Sequence, residues 1–213
     1  RDECLYELKM KGFVPVLAHI ERYFHDGLDY SIIDHWVDMG CILQMNRTSI
    51  LGVNGKKIQS NALELLDNGY CDIICTDTHR ASGNRIEQLS DVYAVVGKRI
   101  GFDNADILFY ENPKLLLSNK EILNIEVEKK KKLFELVPAG GYWKDIDPEM
   151  DKDYMKSCWN MEGGRTGILR RLSLDEPSLT VLTSPSQKQT ERCHPLEARP
   201  FTVRENARCQ DST

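Results

Sequence analysis

The alternation of apolar and polar positions in residues 1–123 follows the order of repeated helix and strand units. Apolar residues at helical spacing, closed in each case by a glycine, predict helices at residues 31–39 and 56–68. Short apolar runs predict three buried strands, at residues 13–18, 41–45 and 71–76. Strands about 30 residues apart with helices between them are βαβ units, which build a parallel sheet. The pattern therefore predicts an α/β fold, although three strands are fewer than the roughly eight that close a barrel.

Weaker patterns in this first part predict the remaining elements. An apolar stripe before Gly12 predicts a short N-terminal helix that ends at this glycine. Residues 46–55 contain two glycines and are predicted to form a loop. Apolar spacing predicts a helix at about residues 85–99, and a second, shorter helix through residues 115–117.

The character of the chain changes at about residue 124. A charged run that includes four lysines, residues 129–132, predicts either a solvated helix face or a linker. Beyond it the pattern predicts one strand at residues 179–182 and a short helix capped by Thr202. We therefore expect a first domain at residues 1–123, a charged seam at residues 124–132 and a second segment at residues 133–213.

Cysteine usage and charge narrow the class of protein. None of the seven cysteines forms a Cys-x-x-Cys pair and three lie on apolar runs, which favours free thiols in a reducing, cytoplasmic compartment. Residues 1–126 carry 19 acidic and 13 basic side chains, a balance that disfavours nucleic-acid contact there and suits a cation site. No run approaches the roughly 18 apolar residues of a membrane span, and no secretory leader is expected at Arg1.

Polar and titratable side chains follow the predicted strands. His19 follows the first strand, and the Asp-x-His pair of Asp77 and His79 follows the third. Imidazole and carboxylate groups suit a divalent transition metal, and Asp-x-His places both on one side of an extended segment. Arg22 and Arg85 lie nearby in sequence and suit a phosphate-bearing substrate. The set predicts hydrolysis of a phosphate ester by a metal-activated hydroxide.

Each of these side chains also has a structural alternative. A single histidine at a strand end often serves only as a hydrogen-bonding residue, and Asp77 suits a turn or helix cap. Arg22 suits a surface position or an ion pair with Glu21. The spatial arrangement of the strand ends decides between these alternatives.

Four motifs of the first part also occur together in a known family. They are Leu-Ala-His-Ile-Glu-Arg-Tyr at residues 17–23, Gln-Met-Asn-Arg-Thr-Ser-Ile-Leu-Gly at 44–52, Thr-Asp-Thr-His at 76–79 and Asn-Pro at 112–113. In this order they resemble the motifs of bacterial PHP-type tyrosine-protein phosphatases, the CpsB/CapC/YwqE group, with isoleucine where that group has proline in the first motif. The resemblance covers about residues 1–123.

The resemblance implies a distorted TIM-like PHP barrel, whose Mn-type divalent ions support removal of phosphate from tyrosine. Its implied partners are bacterial tyrosine kinases of capsule or exopolysaccharide synthesis. It implies metal-ligand roles for His19, Asp77 and His79, and phosphate-binding, catalytic roles for Arg22 and Arg85. The His-x-His motif and the next ligands of that family would lie upstream of Arg1. We therefore expect a partial barrel with weak or no phosphatase activity.

A second set of motifs lies at residues 133–143, 170–180 and 194–208. These motifs resemble the C-terminal, target-recognition part of bacterial DNA (cytosine-5) methyltransferases. The sequence contains neither the Pro-Cys nucleophile loop nor the Gly-rich cofactor loop of that family, so we expect no S-adenosylmethionine binding and no methyl transfer. Arginine-rich loops suit phosphate contact, and the candidate DNA contacts are Arg165, Arg170, Arg171 and Arg204. The alternative is an ordinary polar surface.

Together these patterns predict a join of two fragments. The first is an α/β partial PHP barrel with parallel strands, and the second is a small, irregular α+β segment. The leading hypothesis is a truncated metal-dependent protein-tyrosine phosphatase that acts on phosphotyrosine proteins and has no membrane partner. The alternatives are a DNA-binding remnant of a cytosine-5 methyltransferase, with weak DNA contact from residues 164–208, and an inert fusion product.

Overall fold

The computed structural model describes residues 2–79, 81–83, 86–155, 159, 167–178, 192–201 and 203–210. The chain divides into two compact units, residues 1–127 and residues 128–213, which we call unit 1 and unit 2. The boundary lies inside the seam expected at residues 124–132. Ile125 and Val127 are buried in the core of unit 1, and a helix begins at Glu128.

The sheet of unit 1 has three short parallel strands. They are β1 (Val16–Leu17), β2 (Ile42–Asn46) and β3 (Ile73–Cys75), in the order β1-β2-β3. Val16 pairs with Ile42, and Asn46 pairs with Cys75, so β2 is the central strand. The predicted α/β fold with adjacent parallel strands is confirmed, and the carboxyl ends of the three strands meet at one edge of the sheet.

Helices surround this sheet. They are α1 (Asp2–Met10), α2 (Tyr30–Asp38), α3 (Arg47–Ile50), α4 (Lys56–Asp67), α5 (Ser90–Ile100), α6 (Phe102–Asp106) and α7 (Asn112–Leu117). A 3₁₀ turn, Ile20–Arg22, follows β1, and a π-helical turn, Ile107–Glu111, joins α6 to α7. Asp29 caps α2 because its carboxylate accepts the Ser31 backbone N–H at 3.0 Å.

The core of unit 1 is built from the apolar faces of α2, α4 and α5 together with β2. Trp36 of α2, Leu65 of α4 and Val96 of α5 are buried in one cluster with Leu43 and Met45 of β2. The apolar spacing that predicted helices at 31–39 and 56–68 is therefore the spacing of the residues that pack against the sheet.

The outer strands are shorter than the apolar runs predicted. Pairing in the run at residues 13–18 begins only at Val16, because Phe13 and Val14 are 62% and 60% exposed and do not pack in the core. In the run at residues 71–76, only Ile73–Cys75 pairs with β2. Apolar residues next to an edge strand therefore extended the prediction beyond the paired residues.

Two other predicted boundaries are wrong. The helix expected at 85–99 begins at Ser90, and the loop expected at 46–55 contains the helical turn α3. One long-range contact links both differences: Arg47 of α3 forms an ion pair with Asp91 in the first turn of α5. That contact fixes the turn after β2 and the start of α5, and local sequence spacing carries no signal of it.

Unit 2 is a small α+β segment with its own core. Its elements are α8 (Glu128–Leu136), α9 (Pro148–Met155), α10 (Val203–Gln210) and the parallel strands β4 (Arg170–Arg171) and β5 (Arg192–Cys193). Phe134, Trp143, Met155, Ile168 and Cys193 are buried in one cluster. The strand predicted at 179–182 and the cap predicted at residue 202 lie outside the described residues. No helix in the described ranges has the length and apolar character to cross a membrane.

Candidate functional site

His19 follows the first strand, and its backbone has an uncommon conformation. Its φ of 46° and ψ of 47° lie in the left-handed region, where a side chain is disfavoured. The His19 backbone N–H donates to Oε1 of Gln44 at 3.0 Å. The ring packs edge-on against Tyr23, and its buried Nδ1 has no hydrogen-bond partner. Buried polar atoms are normally paired, so this nitrogen is available to a ligand.

The Asp-x-His pair follows the third strand. Asp77 has a positive φ of 53°, and its Oδ2 accepts from Nδ2 of Asn46 at 2.9 Å. His79 Nδ1 lies 2.7 Å from the Asp77 backbone oxygen and 3.4 Å from Asp77 Oδ1, and its side chain is 61% exposed. Asp77 and His79 are therefore adjacent at this edge, although Asp77 is left-handed and the segment is not the extended one that the period-two spacing assumed.

Arg22 lies between the ends of the first and third strands. Its Nη1 is 3.8 Å from Oδ2 of Asp77, and its side chain is only 20% exposed. Its Nη2 and Nε donate to the hydroxyls of Thr48 and Ser49 at 3.3 and 3.4 Å. In the amide orientation that satisfies both ends of the group, the Asn54 oxygen accepts from Arg22 Nη2 at 2.8 Å. These contacts hold a cationic fork beside the Asp77 carboxylate.

Glu21 is the buried acid of this site. Its side chain is fully buried, its Oε1 lies 3.7 Å from Arg22 Nε, and its Oε2 has no hydrogen-bond partner. Burial raises the pKa of Glu21, although a hydrogen bond from Ser49 and the charge of Arg22 act in the opposite direction. The alternative in which Arg22 pairs with Glu21 is therefore real, but Arg22 also reaches Asp77.

Sequence reasoning assigned no role to Gln44, Thr48, Ser49 or Asn54. Gln44 is buried in β2, and Thr48 and Ser49 are buried in α3. Polar residues that interrupt a fully buried strand were a usable signal, because a buried polar group needs a partner. The hydroxyls of α3 carried no such signal, since the segment was predicted to be a loop.

The cysteines near the site do not provide a nucleophile. Cys41 and Cys71 are buried free thiols, and Cys75 is partly buried. Burial raises the pKa of all three thiols, so little thiolate is present at neutral pH.

The predicted metal site has suitable donor types, but its described donors do not converge on one point. His19, Asp77 and His79 offer the donor types that a divalent transition metal takes, and the unpartnered His19 Nδ1 suits a ligand. However, among the described residues no three His, Cys, Asp or Glu side chains converge to hold an ion. Within the described part of the chain the donors therefore do not form a complete site, and their role as ligands stays a prediction. Arg85 lies outside the described residues.

The candidate DNA contacts of unit 2 have other partners or are not described. The Arg171 guanidinium donates to the backbone oxygens of Phe134, Val137 and Pro195 at 3.0, 3.2 and 3.1 Å. Arg170 lies over the Tyr142 ring at 5.8 Å. Arg165 and the side chain of Arg204 lie outside the described set. The predicted DNA contact therefore gains no support from Arg170 or Arg171.

The fold and this edge define a mixed α/β protein similar to metal-dependent tyrosine phosphatases. A solved structure, described as YwqE from Bacillus subtilis and CpsB from Streptococcus pneumoniae, unique metal-dependent tyrosine phosphatases, matches with a TM-score of 0.51 and 28% identity. It covers 57% of this chain and 49% of that one. Residues 2–118 match the family described as capsular polysaccharide synthesis, CpsB/CapC. The chain belongs to the CpsB/CapC family.

Curated relatives fall into two classes. Tyrosine-protein phosphatase YwqE of Bacillus subtilis (strain 168) is 28% identical over 135 residues, which cover 62% of this chain and 52% of that protein. Type II methyltransferase M.Sau96I of Staphylococcus aureus is 57% identical over 83 residues, 39% of this chain and 19% of that protein. The chain thus spans about half of the phosphatase and a smaller part of the methyltransferase, and both predicted resemblances are confirmed.

Proposed function

We propose that unit 1 is part of a metal-dependent protein-tyrosine phosphatase, in which Arg22 binds the phosphate group. One observation carries the proposal: in a member of the CpsB/CapC family, the Arg22 guanidinium lies 3.8 Å from the Asp77 carboxylate at the carboxyl edge of a parallel sheet. This edge is where parallel α/β folds place their ligands. A planar cation held by neighbouring hydroxyls suits the fixed oxygens of a phosphate ester.

The finer features of this proposal follow the family. The three strands would be part of a distorted PHP barrel, and the metal would be manganese. The substrates would be tyrosine-phosphorylated bacterial kinases of capsule synthesis, in the cytoplasm. Arg85 would be a second phosphate-binding residue. Because the described donors do not complete a metal site, we expect weak or no hydrolysis by this chain alone.

The direct test is hydrolysis of a phosphotyrosine peptide by the 213-residue chain, with and without Mn²⁺. Full-length YwqE is the reference, and a phosphoserine peptide is the control for residue specificity. The proposal expects either no release of phosphate from tyrosine or Mn²⁺-dependent release at a rate far below the reference. A rate near that of YwqE would contradict the expected weak activity. No phosphate binding by the chain would contradict the site itself.

A second function is favoured for unit 2 by its likeness to a Type II methyltransferase. We propose that it is a remnant of a DNA-recognition part, with weak binding and no methyl transfer. Phosphate contacts make affinity fall steeply with salt. Fluorescence anisotropy with a labelled DNA duplex at low and moderate salt tests this, and an affinity that does not change with salt would exclude phosphate contacts.

A further inference from the structure

A chain of side-chain amides connects the ends of all three strands of unit 1. The His19 backbone N–H donates to Gln44 Oε1 at 3.0 Å, and Gln44 Nε2 donates to Asn46 Oδ1 at 2.7 Å. Asn46 Nδ2 then donates to Asp77 Oδ2 at 2.9 Å. We call Gln44 and Asn46, with these three hydrogen bonds, the amide relay. It runs through the central strand and joins His19, the second residue after β1, to Asp77, the second residue after β3.

The groups at the two ends fix the direction of the relay. A backbone N–H can only donate, and an ionised carboxylate can only accept. Gln44 must therefore turn its oxygen toward His19, and Asn46 must turn its nitrogen toward Asp77. The two amides in between then fit each other in one orientation alone. The orientation of each amide thus depends on the other, and so does the position of each end.

The relay holds two strained residues. His19 and Asp77 both have positive φ, 46° and 53°, although neither is glycine. Such conformations cost about 1–3 kcal/mol each and persist where the surroundings enforce them. Gln44 is 7% exposed and Asn46 fully buried, so the hydrogen bond between the two amides is shielded from water. A second bond, from Gln44 Nε2 to the Met45 backbone oxygen at 2.6 Å, anchors the relay to β2.

We propose that Gln44 and Asn46 are positioning residues, which set the His19 backbone and the Asp77 carboxylate in register across the sheet. This inference rests on the proposed function, in which the sheet edge that carries His19 and Asp77 binds metal and phosphate. The relay orients the His19 backbone and the Asp77 carboxylate, and it makes no contact with His19 Nδ1, which has no hydrogen-bond partner in the protein. Neither amide is assigned a contact with the substrate.

The test compares Asn46→Leu with Asn61→Leu. Both replace a buried asparagine by an apolar residue of the same branching and somewhat larger volume, and both remove two side-chain hydrogen bonds. Asn61 donates to the backbone oxygens of Glu21 and Phe24 and takes no part in the relay. The readout is hydrogen exchange of the His19 backbone N–H, measured by NMR. Asn46 makes no hydrogen bond to that N–H, so any effect must pass through Gln44.

We expect Asn46→Leu to accelerate this exchange about tenfold, the effect of weakening one hydrogen bond. We expect Asn61→Leu to leave it within about twofold after correction for global stability. Equal exchange in wild type and Asn46→Leu would overturn the relay, as would equal acceleration in both variants. If Asn46→Leu does not fold, Asn46→Ala, which adds no bulk, takes its place with Asn61→Ala as control.

A second readout connects the relay to the proposed function. Calorimetric titration with Mn²⁺ should show about 10–100-fold weaker binding in Asn46→Leu than in wild type, the usual effect of losing a group that orients a ligand. If wild type binds neither Mn²⁺ nor inorganic phosphate, the proposed function fails. The exchange experiment still decides the relay in that case. If wild type binds Mn²⁺ and Asn46→Leu binds it equally well, the positioning role is wrong.

Discussion

The two parallel sheets of the chain use their polar side chains in different ways. In unit 1, Gln44, Asn46 and Asp77 bond to one another across the ends of β2 and β3. In unit 2, Arg171 of β4 donates to three backbone oxygens of the same unit. Hydrogen bonds between side chains shape the edge where a ligand would bind, whereas hydrogen bonds to backbone oxygens satisfy the fold. A parallel sheet with charged residues is therefore not by itself a binding site.

The register of unit 2 supports this difference. Arg170 of β4 pairs with Arg192 of β5, so two arginines lie at neighbouring positions of this sheet. Burial, and the nearby charge of Arg170, lower the pKa of Arg192. The Arg171 guanidinium is held by hydrogen bonds to backbone oxygens, so a carboxylate partner is not needed to account for its position. The arginines that suggested DNA contact from the sequence include at least one that is structural.

The largest effect we expect is on the stability of unit 2 in Arg171→Met. The variant keeps much of the apolar stem but leaves three backbone oxygens without their charged donor. Bonds to charged groups contribute about 1.5–3 kcal/mol each and are not additive, so we expect a loss of about 3–5 kcal/mol in the free energy of unfolding. Urea unfolding followed by tryptophan fluorescence in a Trp36→Phe background measures it, since Trp143 lies in this core and Trp36 in that of unit 1.

Arg170→Met is the matched control for that experiment. Arg170 is the neighbouring arginine of the same strand, and its contact with the Tyr142 ring at 5.8 Å contributes about 0.5–1 kcal/mol. Equal losses in the two variants would show that Arg171 has no special structural role. A fully stable Arg171→Met protein with weakened DNA binding would reverse the comparison between the two units.

The next largest effect is expected on phosphate binding in Arg22→Met. This variant removes the guanidinium group beside Asp77, and the Thr48 and Ser49 hydroxyls lose the N–H groups that donate to them. A charge-assisted pair of bonds contributes about 1.5–3 kcal/mol, so we expect about 10–100-fold weaker binding of inorganic phosphate by calorimetry. Arg22→Lys keeps the positive charge but not the planar guanidinium. Its phosphate affinity should lie between those of wild type and Arg22→Met. Unchanged affinity in Arg22→Met would move the phosphate site elsewhere.

Sequence pattern was sufficient for the parts of unit 1 whose apolar residues form a continuous run or follow a fixed period. The continuous apolar runs of the strands and the helical spacing of α2 and α4 located the core. The pattern was not sufficient where distant residues decide the backbone. The pair of Arg47 and Asp91 bridges 44 positions, and it sets both α3 and the start of α5.

The candidate site shows the same limit. Polar residues 44 and 46 lie two apart in β2, so the period of two places them on one face. The sequence prediction ended this strand at residue 45 and placed Asn46 in a loop, so the shared face did not follow from it. Their bonds to His19 and Asp77 depend on the order of the strands in the sheet. The left-handed backbone of His19 and Asp77 was not visible at all, because neither residue is glycine and no local motif requires it.

The smallest effect sharpens the comparison within unit 1, at the sheet edge opposite the site. Asp72 precedes β3, and its Oδ2 accepts the Leu43 backbone N–H at 2.7 Å, so this carboxylate satisfies backbone as Arg171 does. Burial raises the pKa of Asp72 from 3.8 to about 6. The folded state therefore holds this proton more tightly than the unfolded state. Stability is highest below about pH 4 for this group and falls as the pH rises to about 6.

In Asp72→Asn the amide oxygen can still accept from Leu43, but the group no longer ionises. We expect the variant to gain about 1–2 kcal/mol relative to wild type at pH 7, and to gain nothing at pH 4. The full difference between the two pKa values corresponds to about 3 kcal/mol, and partial exposure of Asp72 reduces it. Urea unfolding at pH 4, 5, 6 and 7 measures the difference. A difference that is independent of pH would show that folding does not shift the pKa of Asp72.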